Sequence, residues 1–172
     1  MKKALVLVDY QNDFIDGSLG FEKALGLKDE ILKLLGEFEG DLLITFDTHK
    51  EDYLKTREGQ NLPIEHCIKG TKGWEMPNEF TPFLSKAKKV FHKDTFGSLE
   101  LANFLAKSPY EEIHFCGLVS HICVFFNLIL AFCAKPNATL ILHKNATTSF
   151  DEGLENHAFE LLKAYGVKLV ES

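Results

Sequence analysis

The sequence predicts an α/β domain of three layers, a mainly parallel six-stranded sheet covered by helices on both faces. Short apolar runs alternate with amphipathic stretches along all 172 residues, the strand–crossover–strand pattern that gives parallel sheets. No repeat, low-complexity tract or Pro/Gly-rich linker divides the chain, so residues 1–172 read as a single domain. Apolar and charged fractions of 45% and 26% are those of an ordinary globular protein.

The first strand is Ala4–Val8, an unbroken apolar run buried on both faces in this reading. Met1-Lys2-Lys3 before it faintly suggests a signal peptide. However, Asp9 ends the run after five apolar residues, short of the roughly 7–15 of a secretory core. The other strands are expected at Asp41–Phe46, Lys89–His92, Glu112–Cys116, Thr139–His143 and Val167–Val170. Helices are expected at Lys28–Phe38, Leu99–Lys107, His121–Ala134 and Asp151–Tyr165. In the last, Leu154, Ala158, Leu161, Leu162 and Tyr165 recur at helical spacing. Ser149 with Glu152 reads as its capping box and Gly166 as its stop. The helix at His121–Ala134 is apolar nearly all round, which predicts burial on several sides and is compatible with a homo-oligomer contact.

Composition also excludes partners. A net charge of -6, with acids and bases mixed, gives no surface for nucleic acid or an anionic membrane. The apolar run Val124–Ala134 falls far short of the roughly 20 residues that cross a bilayer. The four cysteines form no CxxC pair and no small disulfide framework, so free thiols in a reducing cytoplasm are expected.

In parallel sheets ligands bind beyond the carboxyl ends of the strands, and the notable polar residues gather there. Asp9 ends the first strand, Asp47 and His49 end the second, Lys93 ends the third, and Cys123 follows the fourth at a helix start. A helix N-terminus favours the thiolate, and Gly117–Val124 could ring the sulfur with backbone N–H groups; a buried structural cysteine fits the spacing equally well. Asp9, beside an apolar core, suits proton transfer, or caps a turn. Lys93 alone would be a solvated charge. In Asp47-x-His49, residues two apart in an extended segment point the same way. With His66, 17 residues after His49, they form a carboxylate–imidazole set suited to zinc, iron or manganese; taken alone, the pair is a polar turn.

Five segments in order resemble the isochorismatase-like cysteine hydrolases of the nicotinamidase (pyrazinamidase) type. These are Asp9-Tyr10-Gln11-Asn12-Asp13-Phe14, Thr45-Phe46-Asp47-Thr48-His49, and Pro63–Cys67 with Lys69-Gly70-Thr71. Lys93 with the Gly117–Val124 segment, and Thr147-Thr148-Ser149 through the helix containing His157, complete the match. The resemblance implies hydrolysis of nicotinamide to nicotinic acid and ammonia through a cysteine thioester, as in NAD salvage. Asp9, Lys93 and Cys123 would be catalytic. Val119, Ser120 and Cys123 would supply the oxyanion hole and a cis peptide at Val119–Ser120. Asp47, His49 and His66 would hold a divalent metal, zinc first, with iron or manganese also suited. Phe14 and Gln11 would bind the substrate. Three departures bear on the substrate ring. The tryptophan often found before the last ligand is absent, with Trp74 lying downstream. No further histidine follows His49 within Lys50–Lys55, and His121 stands where an aspartate is frequent. The alternatives are a cysteine amidohydrolase acting on another small amide or ureide, such as an N-carbamoyl compound, and a non-catalytic binding module.

Overall fold

A computed structural model describes residues 1–171. Its six strands are β1 (Lys3–Val8), β2 (Asp41–Asp47), β3 (Lys89–Lys93), β4 (Glu112–Leu118), β5 (Thr139–Thr148) and β6 (Lys168–Val170). All neighbouring pairs are parallel, in the order β3-β2-β1-β4-β5-β6. The chain therefore starts in the middle of the sheet, builds outward through β2 and β3, then returns to the other side of β1. The crevice between the ends of β1 and β4 is the topological switch point, where open α/β sheets bind ligands.

Alternation along β1 builds both faces at once. Leu5 and Leu7 enter a core with α1 (Asn12–Ile15), α2 (Glu22–Leu25) and α3 (Lys28–Glu37), through Phe14, Ile15, Ala24, Ile31 and Leu35. Ala4, Val6 and Val8 enter the other, with α6 (Leu99–Ala106), α7 (Phe125–Ala134) and α8 (Glu152–Ala164), through Leu101, Leu105, Leu128, Ala131 and Leu162. This is why the strand reads as a continuous apolar run rather than an alternating one. The long β2–β3 crossover carries α4 (Arg57–Asn61) and α5 (Thr81–Lys86), with single 3-10 turns at Tyr53–Lys55 and Asn78–Phe80.

Every expected strand and helix is present; the differences are local. β5 runs on past His143 to Thr148 across a register shift opposite Phe115 and Gly117, where Lys144 and Asn145 hide its continuation. The helix expected from His121 begins instead as one wide turn, Ser120–Val124, in which the Val124 N–H reaches Val119 O five residues back at 3.2 Å. The α8 cap is Asp151, whose Oδ1 accepts the Leu154 N–H at 2.9 Å. Ser149 Oγ instead accepts the Asp151 N–H at 2.9 Å, so no Ser149–Glu152 capping box forms: the helix starts too late for Ser149 to reach its first turn. On α8, Ala158 and Leu162, one turn apart, face inward, while Leu154, Leu161 and Tyr165 remain about half exposed.

Gly117 lets β4 lie against β1 at the switch point. Its φ is +113° and a Cβ there would run into the Val8 carbonyl oxygen. Gly117→Ala is therefore expected to cost at least about 2 kcal/mol, read as a lower urea midpoint at unchanged m-value.

Candidate active site

Asp9 leaves β1 with φ 45°, in the left-handed region that non-glycine residues seldom occupy. Its carboxylate is fully buried. Thr45 Oγ1 donates to Asp9 Oδ1 at 2.6 Å, fixing the side chain across the β1–β2 pair. Lys93 Nζ lies 2.5 Å from Asp9 Oδ2, a charge contact off the hydrogen-bonding directions, so Oδ2 has no aligned donor among the described residues. The same Nζ donates to Thr95 O at 2.9 Å, and stands 3.6 Å from Cys123 Sγ and 3.5 Å from Asp47 Oδ1. One buried ammonium thus joins residues delivered by four strand ends.

Burial raises the Asp9 carboxyl above its ordinary range; Lys93 opposes this and Asp47 adds to it. Burial is also the largest influence on Cys123, whose thiol is held well above its usual range although Lys93 pulls the other way. For Lys93 the burial penalty is outweighed by Asp9, Cys123 and Asp47, so its affinity for the proton rises. Lys93 keeps its charge and Cys123 its proton. Asp9, which shares the Lys93 ammonium with that thiol, is a carboxylate of raised basicity placed to receive the proton.

Asp47 faces two ways. Its Oδ1 is turned to Lys93, and its Oδ2 meets His49 Nε2 at 3.0 Å and His66 Nε2 at 3.4 Å. Burial would raise this carboxyl, but Lys93, His49 and His66 outweigh it and hold it far below the usual range. Ligand atoms of Asp47, His49 and His66 all lie within 4.8 Å of one another. Two imidazole nitrogens and a carboxylate converging in a buried site are a donor set that fits a divalent cation of the zinc type. His66 reaches it because His49 forms an isolated parallel bridge with Ile68: the His49 N–H donates to Cys67 O and the Lys69 N–H to His49 O, both at 2.9 Å. Asp13 Oδ2 accepts the Cys67 N–H at 2.7 Å, and His66 Nδ1 is held by Ile64 O at 2.8 Å, which leaves Nε2 for a metal.

Glu58 belongs to this cluster and was not expected from the sequence. Its Oε1 lies 3.7 Å from His49 Nε2 and 3.8 Å from His66 Nε2. Thr56 caps α4 through the Gly59 N–H, and Gly59 packs where a Cβ would strike the Tyr53 carbonyl oxygen. The tight turn so formed aims Glu58 inward. Tyr53 backs both imidazoles, its ring centroid 4.7 Å from His49 and 4.9 Å from His66. The one sequence signal for Glu58 is Thr56-x-x-Gly59 at a helix start, which marks a cap and carries no hint of a ligand.

Above these groups opens a cavity of about 370 Å³, reached by Asp47, Glu58, His66 and Cys123 and walled by Phe14, Phe21, Phe96, Val119, Ile122 and Phe150 among others. Phe14 and Val119 thus stand where a substrate contact was expected. Gln11 does not: Nε2 donates to Asp47 O at 2.8 Å and Trp74 O at 2.9 Å, while Oε1 accepts the Asp47 N–H at 2.8 Å. Its amide is committed to backbone, so its role is to position Asp47. Trp74 is not in the cavity wall; it packs on Phe46 and His92, and Nε1 donates to Thr48 Oγ1 at 2.9 Å. The cis bond is Leu118–Val119, not Val119–Ser120. The chain turns immediately after the last residue of β4, and without a proline nothing in the sequence marks which bond turns. Ser120 is buried away from the cavity, donating to Glu155 Oε2 at 2.6 Å, so it supplies no side-chain contact to the pocket.

The isochorismatase domain family matches residues 3–172 of this chain. The isochorismatase family protein PncA of Bacillus subtilis is 30% identical over 175 residues, covering 94% of this chain and 93% of that protein. The nicotinamidase of Saccharomyces cerevisiae is 26% identical, covering 98% and 99%. Among solved structures, nicotinamidase/pyrazinamidase PncA of B. subtilis superimposes with TM-score 0.87 at 28% identity, covering 99% of this chain and 100% of that one. The pyrazinamidase of Pyrococcus horikoshii in complex with zinc shares the fold with TM-score 0.83 at 23% identity, covering 100% of both chains. Among the described residues no helix is long and apolar enough to cross a membrane.

Lys93 is the counter-charge that holds the Cys123 thiol down against burial. Lys93→Ala is therefore expected to make the thiol less acidic still and to slow its alkylation by iodoacetamide at pH 8 by at least about ten-fold. Mass spectrometry of the labelled Cys123 peptide measures it.

Proposed function

The chain belongs to the isochorismatase domain family, and from that premise we propose that it is a nicotinamidase, converting nicotinamide to nicotinic acid and ammonia. The observation that carries this reading is the junction at Asp47, where the Lys93-centred cluster holding Cys123 and the Asp47–His49–His66 metal set share one carboxylate at the floor of one cavity. Relatives named as nicotinamidase and pyrazinamidase support the choice of amide.

In the first half-reaction Asp9 takes the Cys123 proton as the sulfur attacks the carboxamide carbon, and Lys93 offsets the charge passing between them. Backbone N–H groups at Val119 and Cys123 hold the developing oxyanion. Asp9 returns the proton to the departing nitrogen, so ammonia leaves and the acyl group stays on sulfur as a thioester. In the second half-reaction Asp9 removes a proton from water, the hydroxide adds to the thioester carbon, and the thiol departs with that proton, releasing nicotinic acid. Asp47, His49 and His66, with Glu58 as a fourth donor, would hold a divalent cation that supplies a Lewis-acid anchor for the pyridine nitrogen. Phe14 offers a ring face to the substrate. This activity would place the protein in NAD salvage.

Two variants separate the halves of the site. Cys123→Ala is expected to reduce ammonia release from nicotinamide by at least about 10⁴-fold while bound zinc stays near one per chain by elemental analysis. Undiminished release would remove the thioester scheme. Glu58→Gln is expected to weaken zinc binding by roughly ten- to a hundred-fold in competition with a chromophoric chelator, with the thermal transition of the metal-free protein little changed.

A further inference from the structure

The cavity is larger than the proposed substrate requires, and its excess is mainly apolar. About 150 Å³ suffices to enclose a benzene ring, whereas this cavity measures about 370 Å³. Its floor is polar and buried: Asp47, His66 and Cys123 are each no more than 5% exposed. Its outer part is apolar and opens to solvent, with Phe96 and Phe150 36% and 61% exposed. Leu19, Phe21 and Leu62 complete that outer wall. Phe21 and Phe150 meet edge-to-face at 5.9 Å, as do Phe96 and Phe126 at 5.4 Å. Paired this way, the rings at the mouth are held by aromatic neighbours rather than standing as isolated surface side chains.

Resting on the reading of Cys123 and the metal set above, the ring's orientation follows from its chemistry. The carboxamide carbon must meet Cys123 and the ring nitrogen the side of Asp47 and His66, and both anchors lie on the floor. In nicotinamide these two positions are meta to one another, so the ring atom facing away from both is C5. Nicotinamide carries only hydrogen there and leaves the aromatic rim without a partner. We infer that the rim is a subsite for an apolar group on C5, and that the enzyme's substrates include aromatic carboxamides bearing a second ring or a branched alkyl group at that position. Apart from the exposed Ser18, the side chains of the rim are apolar and uncharged, so polar substituents gain little from it.

The test uses zinc-loaded protein and two pairs of compounds, nicotinic acid against 5-phenylnicotinic acid for binding, and the corresponding amides for turnover. Burying the added phenyl ring is expected to tighten binding of the acid at least about ten-fold by calorimetry, and to give the phenyl amide the higher kcat/KM. Leu19→Trp, which fills the outer chamber, should remove the gain. Phe150→Ala, at an exposed position where folding is not at stake, should reduce it several-fold. Equal or weaker binding of the phenyl acid, or a gain untouched by both variants, overturns the subsite. If nicotinamide is hydrolysed but its phenyl derivative is excluded, the subsite fails and the nicotinamidase reading stands. If neither acid binds, both fall together.

Discussion

The buried ammonium of Lys93 is the constraint on which the rest of the site depends. With its side chain 3% exposed, it faces two carboxylates that are equally hidden, those of Asp9 and Asp47. Without it, two like charges and a thiol would share a largely buried pocket with no counter-charge. With it, each acid can be buried as an anion, and the sulfur sits beside a fixed positive charge. A buried ion trio of this kind is a poor way to stabilise a fold, since well-packed apolar residues would serve as well or better. Its presence at the switch point of the sheet is accounted for by chemistry.

Everything around the trio acts to hold it in register. The parallel order of the sheet sets Asp9 beside Thr45, which donates to it, and sets Asp47 opposite Lys93. Gln11 uses its whole amide to fix the Asp47 backbone and to tie it to Trp74. Asp13 anchors the Cys67 amide and with it the adjacent His66. Three polar residues of one short segment, Asp9, Gln11 and Asp13, thereby serve the charge cluster beside Cys123, the shared carboxylate and the second imidazole.

The strands, the main helices and the polar strand ends were legible in the sequence because each rests on local pattern. Apolar runs of five or six residues, helical periodicity and the order of the motifs need no knowledge of distant contacts. Glu58 was not legible, because its place depends on how tightly a two-turn excursion folds back over Tyr53, and no periodicity records that. Gln11 was assigned to the substrate because it lies in the Asp9–Phe14 segment that carries the family resemblance; only the hydrogen bonds across to Asp47 and Trp74 show that its amide is fully spent. Trp74 looked available because a lone tryptophan beside a ligand segment has no pattern to place it, and its ring proved to belong to the Phe46–His92 stack. The cis bond was misplaced by one residue for a similar reason: the sequence gives the segment that turns but not the bond.

Charge balance ties the two halves of the site to the kind of molecule that fits it. The metal-free cluster, with Glu58 ionised, carries three carboxylates against one ammonium. A divalent cation at the imidazoles brings the positive charges to three and leaves the floor neutral while Cys123 keeps its proton. Burial and Asp47 raise the Glu58 carboxyl in the protein without metal, with the imidazoles and Lys93 opposing, the direction expected of an acid in a cluster short of positive charge. A neutral floor under apolar walls favours an uncharged, flat ligand over an anionic one. With the floor neutral, the apolar rim, indifferent to charge, is left to decide which flat ligands enter.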